Sequence, residues 1–171
     1  MTGTAILLFG LPGAGKSSIG REIQARLTLP TVFVPLDVFD APPDALCARI
    51  LRERGVDETS FNGILLAAYF DCLRPWLLAG FNVIGEARPP TPEQYLVLRD
   101  KLDGLPFVTV HVIATPEVRL ERSRRLIDRD DSWRAQEFPP HVTLVSDTQS
   151  AAQLAEELLA RIHSERLVPL H

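Results

Sequence analysis

The residues Gly10-Leu11-Pro12-Gly13-Ala14-Gly15-Lys16-Ser17 spell G-x-x-x-x-G-K-S. Glycines at those positions let a chain curl until successive backbone N–H groups point inward, forming an anion nest at a helix N-terminus. A lysine after the last glycine brings a point charge to the β- and γ-phosphates, and the serine hydroxyl suits Mg²⁺. The expected nucleotide contacts are Gly10, Gly13, Ala14, Gly15, Lys16, Ser17 and Ser18, with ATP as ligand and Mg²⁺ at Ser17. A glycine-rich turn with a chance lysine would have to match every fixed position of the motif in the right strand-to-helix context.

A phosphate held in this way needs a partner to receive it and charge to steady its transfer. Asp37 follows the apolar run 31–35 and is placed to take the proton of an attacking hydroxyl. Capping a helix or bonding a loop is the plainer role for Asp37, and more so for Asp40. Glu86 stands at the end of another apolar run, where it could hold Mg²⁺ through water, bind the acceptor, or be a surface carboxylate. Arg119, Arg122, Arg125 and Arg129 recur three or four residues apart and would share one side of a helix. A solvated face paired with Glu117 and Glu121 is the plain alternative. The polar stretch 128–136 and Pro139-Pro140 nevertheless resemble a lid, spanning about 126–140. On that reading Arg122 touches nucleotide, while Arg125 and Arg129 stabilise the charge of transfer. Phe39, Phe61, Leu65 and Tyr69 lie in a region of about 37–80 that would overhang Asp37, as acceptor lining or as ordinary packing. The four histidines show no metal-ligand spacing.

These groups need a scaffold, and its pattern is alternating. Residues 4–9 form an apolar run that stops at glycine, as a buried parallel strand does. Ile19, Ile23 and Leu27 mark a helix over 16–27. The run 31–35 is a β-branched strand closed by proline, and 59–78 a long helix that Gly80 ends. Its expected apolar stripe is Phe61, Leu65, Ala68, Cys72 and Trp76. A strand over 81–84, a helix over 92–102, a strand over 107–113 and a helix opening at Pro116 follow. The last strand is 142–145, and the last helix, 151–162, turns Leu154, Leu158 and Ile162 inward. This order predicts one α/β domain over 1–171, a three-layer α/β/α fold with a five-stranded, mainly parallel sheet. Ligands of such sheets bind beyond the carboxyl ends of the strands, where the phosphate loop, Asp37 and Glu86 fall.

Composition narrows the classes. A chain of 171 residues with 46% hydrophobic content can build an ordinary core. The net charge of −4 lacks the basic excess of a nucleic-acid or membrane surface. Cys47 and Cys72 sit among apolar neighbours without metal spacing, as reduced thiols do in a reducing compartment. The apolar stretch 5–11 is too short for a membrane span and follows no basic segment, so a cytoplasmic protein is expected.

Taken together, the segments 10–27, the strand ending at Asp37, AGFNVIGE at 79–86, LPFVTVHVIATPEVRLERSRR at 105–125 and VSDT at 145–148 resemble the P-loop kinase group of shikimate, gluconate and adenylate kinases. Within it they are most similar to the chloramphenicol phosphotransferase-like proteins. The resemblance implies a general base at Asp37, lid arginines near Arg125 and Arg129, and adenine near residues 146–148, which includes Thr148. The chain departs from the family where Leu126-Ile127 separates Arg125 from Asp128-Arg129, and where Glu86 replaces a common aspartate. The expected activity is transfer of the γ-phosphate of ATP to a small-molecule hydroxyl on an antibiotic-, sugar- or nucleoside-like acceptor. The alternatives are a UDP-amino-sugar kinase similar to zeta toxins (suggested by residues 82–95), a polynucleotide 5′-kinase, and a nucleotide switch without an acceptor.

Overall fold

The computed structural model describes residues 2–39, 53–55, 58–88, 90–123 and 139–168. Strand β1 (Ala5–Phe9) leads into helix α1 (Lys16–Arg26), and β2 (Thr31–Pro35) into a 3₁₀ turn (Leu36–Phe39). Helix α2 (Glu58–Leu78), β3 (Asn82–Ala87), α3 (Pro92–Lys101) and β4 (Phe107–Ile113) come next. Helix α4 (Pro116–Arg122), β5 (Val142–Val145) and α5 (Ala151–Ser164) complete the order among the described residues.

The strands form one five-stranded sheet in the order β2-β3-β1-β4-β5. Every neighbouring pair is parallel, so the expected mainly parallel sheet is wholly so. Alternation along the central strand divides the core between two helical layers. Ile6 and Leu8 pack with Ile19 and Ile23 of α1 and with Leu154, Leu158 and Ile162 of α5. Leu7 and Phe9 pack with Phe70 and Leu73 of α2 and with Leu98 of α3. Capping boxes at Thr91 and Ser150 start α3 and α5, each pairing the cap side chain with a glutamine three residues on.

Two local expectations are corrected. The buried face of α2 is Leu66, Tyr69, Phe70, Leu73 and Leu77, whereas Trp76 of the predicted stripe is 43% exposed. Apolar residues lie all round this helix, so spacing alone does not choose a face. Strand β3 extends through Gly85, Glu86 and Ala87, which places Glu86 within the sheet rather than after it. Helix α4 stops at Arg122, and Ser123 is extended at φ −129° and ψ 116°. Arg119 and Arg122 lie on this helix, and Arg125 and Arg129 of the series lie outside the described residues.

Cys72 is a free, half-buried thiol, and burial, with Asp71 beside it, pushes its pKa up. Cys47, Asp40, Arg125, Arg129 and the predicted lid up to residue 138 lie outside the described residues. Among the described residues no helix is long and apolar enough to cross a membrane.

Candidate functional site

The carboxyl end of β1 passes into Gly10, and the chain then turns through Gly13 and Gly15 at φ 82° and 92°. Those are left-handed values that glycine adopts without strain. The Ala14 N–H donates to the Leu11 carbonyl at 3.1 Å and closes the turn. Ala14, an expected phosphate contact, thus uses its amide within the loop. Helix α1 starts with Gly15 as its cap, no side-chain cap and no acidic residue in its first turn. Ile19 N–H reaches the Gly15 carbonyl at 3.0 Å. The amides of Lys16, Ser17 and Ser18 precede that bond and have no helix carbonyl behind them. Together with the helix dipole, they make an anion site.

Two side chains from this turn meet β3. The Ser17 hydroxyl donates to Glu86 Oε1 at 2.9 Å, and Lys16 Nζ lies 3.8 Å from the same oxygen. Lys16 Nζ also donates to the Leu11 carbonyl at 3.2 Å. Glu86 Oε2 is buried and has no hydrogen-bond partner among the described residues. A buried oxygen left in that way costs about 1–3 kcal/mol unless something meets it. A hydroxyl, a carboxylate with an orphaned oxygen and an adjacent anion nest fit Mg²⁺, a hard cation that takes oxygen ligands. Among the described residues no three His, Cys, Asp or Glu side chains could enclose a metal alone.

The other expected residues are distributed around this centre. Asp37 is exposed on the 3₁₀ turn directly after β2. It lies two positions past Pro35, which is in register with Glu86. The fold thus brings Lys16, Ser17 and Glu86 into contact and sets Asp37 on the neighbouring strand end. Arg122 is locked against the phosphate loop: its guanidinium donates to the Ser146 hydroxyl at 2.9 Å and the Ser146 carbonyl at 2.6 Å. The Ser146 hydroxyl in turn donates to the Ala14 carbonyl at 2.8 Å. Thr148 is exposed. A cleft of about 320 Å³ opens beside it, lined by Ile113, Ala114, Thr115, Val145 and Asp147, but not by Thr148. Asp147 shapes this cleft by accepting the Thr115 N–H at 2.8 Å.

Sequence reasoning placed Ser146 only in the stretch expected near adenine, not in a link to Arg122 and Ala14, and left Tyr69 between pocket lining and packing. Ser146 carried one signal, a small polar residue at a strand end. Tyr69 carried another, a lone hydroxyl in an apolar helical segment. In the fold Tyr69 is buried, and its hydroxyl bonds the backbones of Val34 and Glu86.

The profile of the chloramphenicol phosphotransferase-like family matches residues 3–165. No curated protein matches the chain. Among solved structures, APS kinase of Mycobacterium tuberculosis in complex with AMPPNP and APS aligns at 16% identity and a TM-score of 0.67, covering 95% of this chain and 98% of that one. A sugar kinase from Janibacter sp. HTCC2649 aligns at 18% identity and a TM-score of 0.63, covering 99% of both chains. Shikimate kinase from Acinetobacter baumannii, in complex with shikimate, aligns at 18% identity and a TM-score of 0.60, covering 98% and 97%. At these identities the likeness shows a shared P-loop kinase fold.

Proposed function

The chain belongs to the chloramphenicol phosphotransferase-like family, and from that premise we propose that it is an ATP-dependent O-phosphotransferase acting on a small-molecule hydroxyl. The observation that carries this reading is the convergence of Lys16, Ser17 and Glu86 beside an open anion nest, with Asp37 on the adjacent strand end.

In this reading the nest and Lys16 hold the β- and γ-phosphates. Arg122 braces the loop from the far side, and the base lies toward the cleft at Thr115 and Asp147. Ser17 and Glu86 hold Mg²⁺, which when bound offsets charge across the phosphates. Asp37 orients the acceptor hydroxyl and takes its proton. The acceptor oxygen bonds to the γ-phosphorus as the bond to the β–γ bridging oxygen breaks, and ADP leaves. Arg125 and Arg129 are the lid cations of this scheme. In this reading the protein works in the cytoplasm, where ATP is supplied.

The test is ATP consumption against a panel of hydroxyl compounds: antibiotics, sugars, nucleosides, a UDP-amino sugar and a 5′-hydroxyl oligonucleotide. Acceptor-dependent ADP release and a phosphorylated small-molecule product are expected. With that acceptor, Asp37→Asn should lower transfer by roughly a hundredfold while ATP affinity stays nearly unchanged. A wild-type protein that binds ATP but phosphorylates nothing in the panel would favour the switch reading. Equal transfer by Asp37→Asn would move the base elsewhere.

A further inference from the structure

Tyr69 is 1% exposed on the sheet-facing side of α2. Its hydroxyl donates to the Val34 carbonyl at 2.7 Å and accepts the Glu86 N–H at 2.8 Å. The register sets Val34 opposite Gly85 and Pro35 opposite Glu86. Parallel ladders bond alternate residues. The Pro30 carbonyl accepts the Asn82 N–H at 3.1 Å. Two steps of two residues along each strand lead to the Val34 carbonyl and the Glu86 N–H, the rung nearest the ligand edge. The Tyr69 hydroxyl bonds both groups of that rung.

Packing does not require this oxygen, because phenylalanine would fill the same core volume. Gly85 leaves room for it: a Cβ there would lie 2.8 Å from the hydroxyl and 2.7 Å from Leu7 Cδ2. Burial pushes the phenol far above its ordinary pKa, so the group remains a hydroxyl able to donate and accept at once. The Glu86 backbone is thereby tied to α2, while its carboxylate meets Ser17 and Lys16. The same oxygen ties the end of β2, which leads to Asp37, to the end of β3, which carries Glu86.

We propose that Tyr69 is a positioning residue whose hydroxyl, bonded to the Val34 carbonyl and the Glu86 N–H, aims the Glu86 carboxylate at Ser17 and the metal. This rests on the reading of Ser17 and Glu86 as the metal-holding pair. Outer partners of metal ligands typically affect metal affinity by roughly 10–100-fold.

The experiment is calorimetric binding of ADP, with Mg²⁺ and with EDTA, to the wild type, Tyr69→Phe and Phe70→Leu. Phe70 is an equally buried neighbour on the same helix and controls for general loosening. The wild type and Phe70→Leu should bind ADP more tightly with Mg²⁺. Tyr69→Phe should match them in EDTA within about twofold and lose roughly tenfold of the Mg²⁺ enhancement. An equal enhancement in Tyr69→Phe overturns the proposal, as does an equal loss in Phe70→Leu. A wild type whose ADP affinity ignores Mg²⁺ overturns the metal reading of Glu86 and this role with it. Should Tyr69→Phe fail to fold, hydrogen exchange on the wild type keeps the test. The Glu86 amide should exchange as slowly as core strand amides, and exchange at loop rates overturns the proposal.

Discussion

Just before β5, His141 supplies a ring nitrogen to the sheet. Its Nδ1 accepts the Thr109 N–H at 3.0 Å and lies 2.8 Å from Thr109 Oγ1. A nitrogen accepting a backbone N–H carries no proton, so this ring is neutral and protonated at Nε2. Burial lowers its pKa from the ordinary 6.5. Because the unfolded chain binds this proton more readily, the contribution is complete above the unfolded value. It is lost as pH falls through the lower folded value. Urea unfolding of the wild type and His141→Gln across pH should show this directly. The difference between them should be flat at neutral pH and narrow as pH falls below about 6.5. A pH-independent difference would mean that the ring does not titrate through this bond.

The elements around the phosphate loop fit so closely that one glycine joins two of them. A Cβ on Gly13 would lie 2.6 Å from the Arg119 carbonyl, and the residue already has φ 82°. Positive φ costs a side-chain-bearing residue roughly 1–2 kcal/mol, and here the obstacle is backbone of α4 rather than a movable side chain. Gly13→Ala should therefore destabilise the fold by about 2 kcal/mol or more in urea. It should also weaken ADP binding at least tenfold, because relief requires moving either the nest or α4. Wild-type stability with wild-type affinity would show that the loop and α4 are not rigidly joined.

Across the whole molecule the candidate site gathers β1, α1, β3, α4 and the residue after β5, joined by Glu86, Arg122 and Ser146. A ligand that engages it should resist unfolding of the entire domain. Nucleotide with Mg²⁺ at a hundred times its Kd stabilises the native state by about 2.7 kcal/mol. For a chain of this size that corresponds to a Tm rise of roughly 5–10 °C. Thermal scans should show this rise for the wild type and little of it for Lys16→Ala at the same concentration. A full shift in Lys16→Ala would place nucleotide binding away from the phosphate loop.

The nest, Lys16, Ser17 and the α/β order were legible in the sequence because they rest on local rules: motif spacing, glycine positions and the switch from strand to helix period. Glu86 was recognised as a candidate, but its place inside β3 depended on how far pairing with β1 and β2 continues, which spacing does not state. The working face of α2 was likewise undetermined, since a helix apolar on many sides is oriented only by the sheet that covers it. The union of Arg122, Ser146 and Ala14 joins groups 24 and 132 positions apart along the chain. Tyr69 meets Val34 and Glu86 across 35 and 17 positions. Such hydrogen bonds leave no periodic trace, because the partners come together only when the strands are in register and the helices are packed on them.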